Sequence, residues 1–119
     1  AFANRVGADA FISIHANASR GKRADVNGIE TFFFSGNRAI RLATYIQEQL
    51  LNASPGSPDR GVRRGRFFVI RRTRMPAVLV ETGFVTGQRD ASHLSNLSYR
   101  SRLSQAISIG ILNYLKELN

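Results

Sequence analysis

Apolar and polar positions along the chain fall into segments of two different periods. Ala8 to His15 is almost continuously apolar, the pattern of a strand buried on both faces. Alternation places Phe11, Ser13 and His15 on one face and Ala10, Ile12 and Ile14 on the other. Asn17 to Asn27 reads as a polar, basic loop, and Gly28 to Phe34 as a second strand. From Asn37 to about Leu51 the period changes: Ala39, Leu42, Ala43, Ile46 and Leu50 recur at helical spacing, with Ser35 or Asn37 as a cap. The Ser54-Pro55-Gly56-Ser57-Pro58 run ends that helix. Phe67-Phe68-Val69-Ile70 reads as a third strand and Ala77 to Glu81 as a fourth, with a loop from Thr82 to Gln88. Leu103, Ala106, Ile107, Gly110, Ile111, Tyr114 and Leu118 form one stripe on a closing helix from about Ser98 to Leu118. Strands interleaved with helices predict an α/β fold, a mostly parallel twisted sheet flanked by helices, in a single domain over residues 1–119.

Composition narrows the function classes. Hydrophobic residues are 43% and charged residues 21% of the chain, which is ordinary globular composition. No apolar run approaches the length of a membrane span. Cysteine is absent, which excludes a disulfide scaffold, an iron–sulfur site and a cysteine nucleophile. The net charge is +9, and the cations are nearly all arginine. Such a surface favours an anionic partner: nucleic acid, an acidic envelope polymer or a phospholipid headgroup. The chain starts Ala1-Phe2-Ala3-Asn4-Arg5, without Met or a leader pattern, so we expect a piece of a longer protein.

Two strands that read as buried each end in an ionisable residue. Ile12-Ser13-Ile14 runs into His15, and Val78-Leu79-Val80 runs into Glu81. If the strands are parallel in one sheet, both residues project from the same edge, where open parallel sheets bind ligands. An imidazole beside a carboxylate suits metal ligation or general acid–base work. A lone strand-end His is more often a hydrogen-bonded structural residue. A Glu straight after three buried apolar residues is harder to dismiss, because burying a carboxylate is costly unless it is paired or metal-bound.

At these residues the chain resembles a known family. Ala8-Asp9-Ala10-Phe11-Ile12-Ser13-Ile14-His15-Ala16-Asn17 and Met75-Pro76-Ala77-Val78-Leu79-Val80-Glu81-Thr82-Gly83-Phe84 are similar to two motifs of zinc-dependent N-acetylmuramoyl-L-alanine amidases, the amidase-3 family. Gly28 to Phe33, Asp59-Arg60-Gly61-Val62 and Leu103 to Leu115 match in the family's order, so the resemblance runs essentially the whole chain. It implies an amidase-3 like fold and a peptidoglycan hydrolase cleaving the bond between N-acetylmuramic acid and L-alanine. Zn2+ would be held by two His and one Glu. His15 matches the second His, while the other two ligands belong to an earlier segment that this chain does not contain. Glu81 matches the catalytic glutamate. The chain would then be the C-terminal part of an amidase catalytic domain, acting in wall turnover, lysis or cell separation in the periplasm or cell wall. A monomeric catalytic domain joined to other domains is expected.

The remaining polar residues are read as follows. Asn17 either contacts substrate or shapes the turn beyond His15. Glu30 is read as structural and paired with an Arg, and His93 as part of a solvated helix face. Seven arginines fall between Arg60 and Arg74. Arg63 and Arg64 among them are candidates for binding peptide carboxylates, against a solvated basic face as the alternative. Phe34 passes to the following helix through only Ser35-Gly36-Asn37, so no blocking insertion fits there and the cleft should be open. Two other readings carry different outcomes: a non-catalytic basic module binding peptidoglycan or another anionic polymer, and a nucleic-acid binder. The second is disfavoured because the aromatics are patterned for the interior, leaving no base-stacking platform.

Overall fold

The structure is a computed structural model and describes residues 2–118. In chain order the elements are α1 (Phe2–Val6), β1 (Phe11–Asn17), β2 (Ile29–Phe33), α2 (Asn37–Ala53), β3 (Asp59–Arg64), α3 (Phe68–Arg71), β4 (Ala77–Phe84), α4 (Gln88–Leu94) and α5 (Leu97–Glu117). The strands form one open sheet in the order β1-β4-β2-β3. β1 pairs with β4 and β2 with β3 in parallel, whereas β2 and β4 are antiparallel. The α/β architecture is as expected, and the sheet is mixed.

Helices α2 and α5 cover one face. Leu42, Ala43, Ile46 and Leu50 of α2 and Leu103, Ala106, Ile107 and Tyr114 of α5 join Ile29, Val78 and Val80 in the main core. Burial of this apolar area is the chief driving force for the fold. The other face is thinner: Ile70, Ala77 and Leu79 are buried there, with Phe11, Phe32 and Phe34 packed around them. Gln47 ties α2 to the sheet from within. Its amide donates to Ile29 O at 2.8 Å and to Asp59 Oδ1 at 3.0 Å, and its oxygen accepts from Thr31 Oγ1 at 2.9 Å.

The two long helices approach closely at Gly110, where a Cβ would lie 2.7 Å from Ile46 Cα. Alanine there gains helix propensity but forces the helices apart. Gly110→Ala is therefore expected to destabilise the domain by about 1–3 kcal/mol, the usual range for overpacking. Thermal unfolding measures it, and a raised melting temperature would show that α2 and α5 separate at no cost.

Several expectations are corrected. Phe67 to Ile70 is not a strand: Phe68–Arg71 is a single helical turn. A short apolar run does not by itself distinguish strand from helix, and only Ile70 of this turn is buried while Phe68 is 63% exposed. The third strand is Asp59–Arg64, whose sequence has no apolar alternation. It is held by backbone pairing to β2, at the edge of the sheet. β1 is not buried on both faces. It pairs only with β4 among the described residues, and Ile14 is 55% exposed, so β4 and β2 are the interior strands and β4 is the most fully buried. Helix α2 is preceded by Gly36, at φ 98°, without a side-chain cap. Asn96 does cap α5, accepting from Tyr99 N at 3.0 Å.

Candidate active site

β1 and β4 run parallel with His15 in register with Glu81. β2 runs antiparallel to β4 with Glu30 in register with the same Glu81. Residues in register share a face of a sheet, and neighbouring strands lie about 4.8 Å apart. The three side chains therefore form a row of roughly 10 Å across the thinner face, with Glu81 in the middle. The backbone pairing sets His15 and Glu81 level on adjacent parallel strands, as the strand-end pattern predicts.

His15 is exposed, and its Nε2 lies 2.8 Å from Ser13 Oγ. Ser13 stands two residues back on the same face of β1, so alternation alone makes this contact possible. The other ring nitrogen has no protein partner among the described residues. Thr82 Oγ1 donates to His15 O at 3.1 Å and binds the two strand ends together.

Glu81 is 7% exposed, and its Oε2 is buried without a hydrogen-bond partner among the described residues. Burial, and secondarily the negative charge of Glu30, push its pKa up to about 7. Glu30 is 3% exposed and well supplied with partners. Arg60 Nε lies 3.4 Å and Arg63 NH1 3.5 Å from its Oε2, and Asn17 Nδ2 donates to its Oε1 at 3.3 Å. Glu30 is thus paired with arginine, as expected, and also sits directly beside the site.

Asn17 fills the turn role, its Oδ1 accepting from Ala18 N at 2.8 Å, and its amide also reaches Glu30. Arg63 joins the row through Glu30. Arg64 does not: its Nε donates to Phe34 O at 2.8 Å, and its guanidinium lies over the Phe34 ring. His93 is not simply solvated. It is half-buried, with Nδ1 2.8 Å from Arg89 O and its ring against the Tyr99 edge.

One positioning residue carried no sequence signal beyond an acid in the first turn of a helix. Asp90 is buried, and its Oδ2 accepts from Gly28 N at 2.7 Å and Phe84 N at 2.8 Å. It joins the start of β2 to the end of β4 and so holds Glu30 opposite Glu81. Gly83, at φ 153°, lets β4 bend over this carboxylate, since a Cβ there would come 3.1 Å from it. β2 leads into α2 through residues 34–36 alone, so no inserted helix lies at that point.

Comparison with known proteins identifies the family and the fold. The family model for N-acetylmuramoyl-L-alanine amidase matches residues 1–113, and the chain belongs to that family. It is 42% identical over 112 residues to N-acetylmuramoyl-L-alanine amidase LytC of Bacillus subtilis, a match covering 92% of this chain and 22% of LytC. Among solved structures, N-acetylmuramoyl-L-alanine amidase AmiC2 of Nostoc punctiforme superposes with a TM-score of 0.90 at 40% identity, covering 97% of this chain and 62% of that one. An N-acetylmuramoyl-L-alanine amidase of Clostridium difficile superposes with a TM-score of 0.91 at 32% identity, again covering 97% and 62%. The chain thus spans about a fifth of LytC and under two thirds of the solved domains.

Proposed function

We propose that this chain is the C-terminal part of the catalytic domain of an enzyme that hydrolyses the amide between N-acetylmuramic acid and the L-alanine of the peptidoglycan stem. The observation that carries the reading is the pairing of His15 with a buried, unpartnered Glu81 on adjacent strands.

Zinc fits these residues in part. A neutral imidazole with one ring nitrogen open is a suitable ligand, and the orphaned carboxylate oxygen beside it is placed for a proton. No three His, Cys, Asp or Glu side chains converge among the described residues. A site with three protein ligands therefore draws the other two from outside them, which is what the family resemblance implies. When bound, zinc acidifies water and polarises the scissile carbonyl.

The chain's own residues account for the remaining steps. Ser13 orients the His15 ring. Burial holds Glu81 well above the ordinary carboxylate range, at about 7, so it can hold and release a proton near neutral pH. It can take a proton from the attacking water and return it to the departing amine, the two tasks of a general base and acid. Asn17 and Arg63 border the row and are proposed to contact substrate. Arg64 is proposed only as an outer contact, since its Nε is committed to Phe34. Peptidoglycan as substrate places the enzyme in the periplasm or cell wall. Its catalytic unit is proposed to be monomeric and joined to further domains.

The test is digestion of purified peptidoglycan by the full-length protein. Release of new L-alanine amino groups without new reducing sugar ends, abolished by a chelator and restored by Zn2+, is the expected result. New reducing ends would replace amide by glycosidic cleavage. Binding without cleavage would leave the non-catalytic basic module, which the +9 charge favours. Tight, salt-sensitive DNA binding with no wall affinity would favour the nucleic-acid reading.

A further inference from the structure

We infer that Glu30 is a positioning residue that presents Arg63 as a partly free guanidinium for a carboxylate of the stem peptide, an inference that rests on the amidase reading above. A carboxylate as buried as Glu30 needs a counter-charge. Arg60 supplies it: its Nε lies 3.4 Å from Glu30 Oε2, and its guanidinium is tucked over the Phe84 ring at 5.0 Å. The Arg60 contact is an ion pair only, since Arg60 Nε makes no hydrogen bond among the described residues. Arg63 is a second cation on the same oxygen and donates to it at 3.5 Å. Its side chain stays 56% exposed. This contact is its one hydrogen bond among the described residues, single and long, where arginine–carboxylate pairs are commonly bidentate and shorter. Most of its N–H donors are therefore open to a ligand. A guanidinium tethered at one corner is already oriented, so less freedom is lost when an anion binds.

The location suits a stem carboxylate. Arg63 is in register with Phe32, on the face of the sheet that carries Glu30 and Glu81. Strand spacing sets it on the order of 10 Å from Glu81. An extended peptide covers that span in about three residues. Arg64 lacks this freedom because Phe34 occupies it. Asn17, on the other oxygen of Glu30, links the same anchor to the strand that carries His15.

The test uses the full-length enzyme on two muropeptides, identical except that the carboxylates within the first three stem residues are free in one and amidated in the other. Arg63→Ala is expected to raise KM for the free-acid substrate about tenfold, the scale of one charge-assisted hydrogen bond, with kcat little changed and the amidated substrate unaffected. Glu30→Asp keeps the charge but withdraws the carboxylate by one methylene. It should raise KM severalfold more for the free acid than for the amidated substrate, and that extra discrimination should be absent on the Arg63→Ala background. Arg63→Lys keeps the exposed charge without the fork and should not restore wild-type KM, a reading that stands even if Glu30→Asp fails to fold. Full additivity, or an equal KM effect of Glu30→Asp on both substrates, would overturn the role of Glu30. Wild-type binding by Arg63→Lys would overturn the oriented guanidinium as the receptor. Arg63→Ala with unchanged KM would remove the carboxylate receptor itself. Failure of the wild type to cleave either substrate would instead sink the amidase reading, and this inference with it.

Discussion

Glu81→Gln in the complete catalytic domain is expected to lower kcat for peptidoglycan hydrolysis by about 10²- to 10⁴-fold, the usual contribution of a positioned proton carrier. The substitution keeps the shape of the side chain and removes its titration. KM and bound metal should change little, because the proton moves only along the reaction path. The variant should also be the more stable protein at neutral pH. Burial raises the Glu81 pKa from the ordinary 4.5 to about 7, so the folded state binds a proton more tightly than the unfolded chain. Stability of the metal-free wild type should therefore fall as pH rises from about 4.5 to about 7 and level off above. Glu81→Gln should lose that slope. Unfolding midpoints at pH 5 and pH 8, compared between the two proteins, measure it. Unchanged turnover in Glu81→Gln would remove the residue from the mechanism.

His15→Ala is expected to abolish stoichiometric zinc binding and activity together while leaving the fold intact. The side chain is exposed, so its removal should cost no more than about 0.5 kcal/mol of stability. Loss of a residue that only orients a ligand already costs about 10- to 100-fold in metal affinity. Loss of a ligand should exceed that. Elemental analysis of the purified variant, with a melting curve as a control for folding, separates the two effects. Full metal content in a folded His15→Ala protein would contradict ligation, whatever the activity.

The two helices that carry the core were legible because their signal is local. Ala39 to Leu50 and Leu103 to Tyr114 repeat at the helical period, and each stripe buries itself as that period requires. β1, β2 and β4 were legible for the same reason, through apolar runs bounded by turns. β3 was not, because an edge strand of the sequence Asp-Arg-Gly-Val-Arg-Arg needs no apolar face when its neighbour satisfies its backbone. Phe67 to Ile70 misled for the converse reason: its rings are apolar but most of the turn stays at the surface. In the site, His15 and Glu81 stood out by their place at the ends of apolar runs. Glu30 and Asp90 did not, since what distinguishes them is a set of partners far along the chain: Arg60, Arg63 and Asn17 for one, the amides of Gly28 and Phe84 for the other.

By itself, the amino-acid sequence determined which residues could carry the chemistry, where most elements lie, and the family to which they point. These are properties of residue type and short-range spacing. Only the tertiary structure decided that β4 lies between β1 and β2, that Glu30 and His15 flank Glu81 at one level, and that Glu81 is buried with its Oε2 unpartnered among the described residues. The basicity of a carboxylate depends on the dielectric and the charges around it, and here those come from strands some fifty residues or more away in the chain.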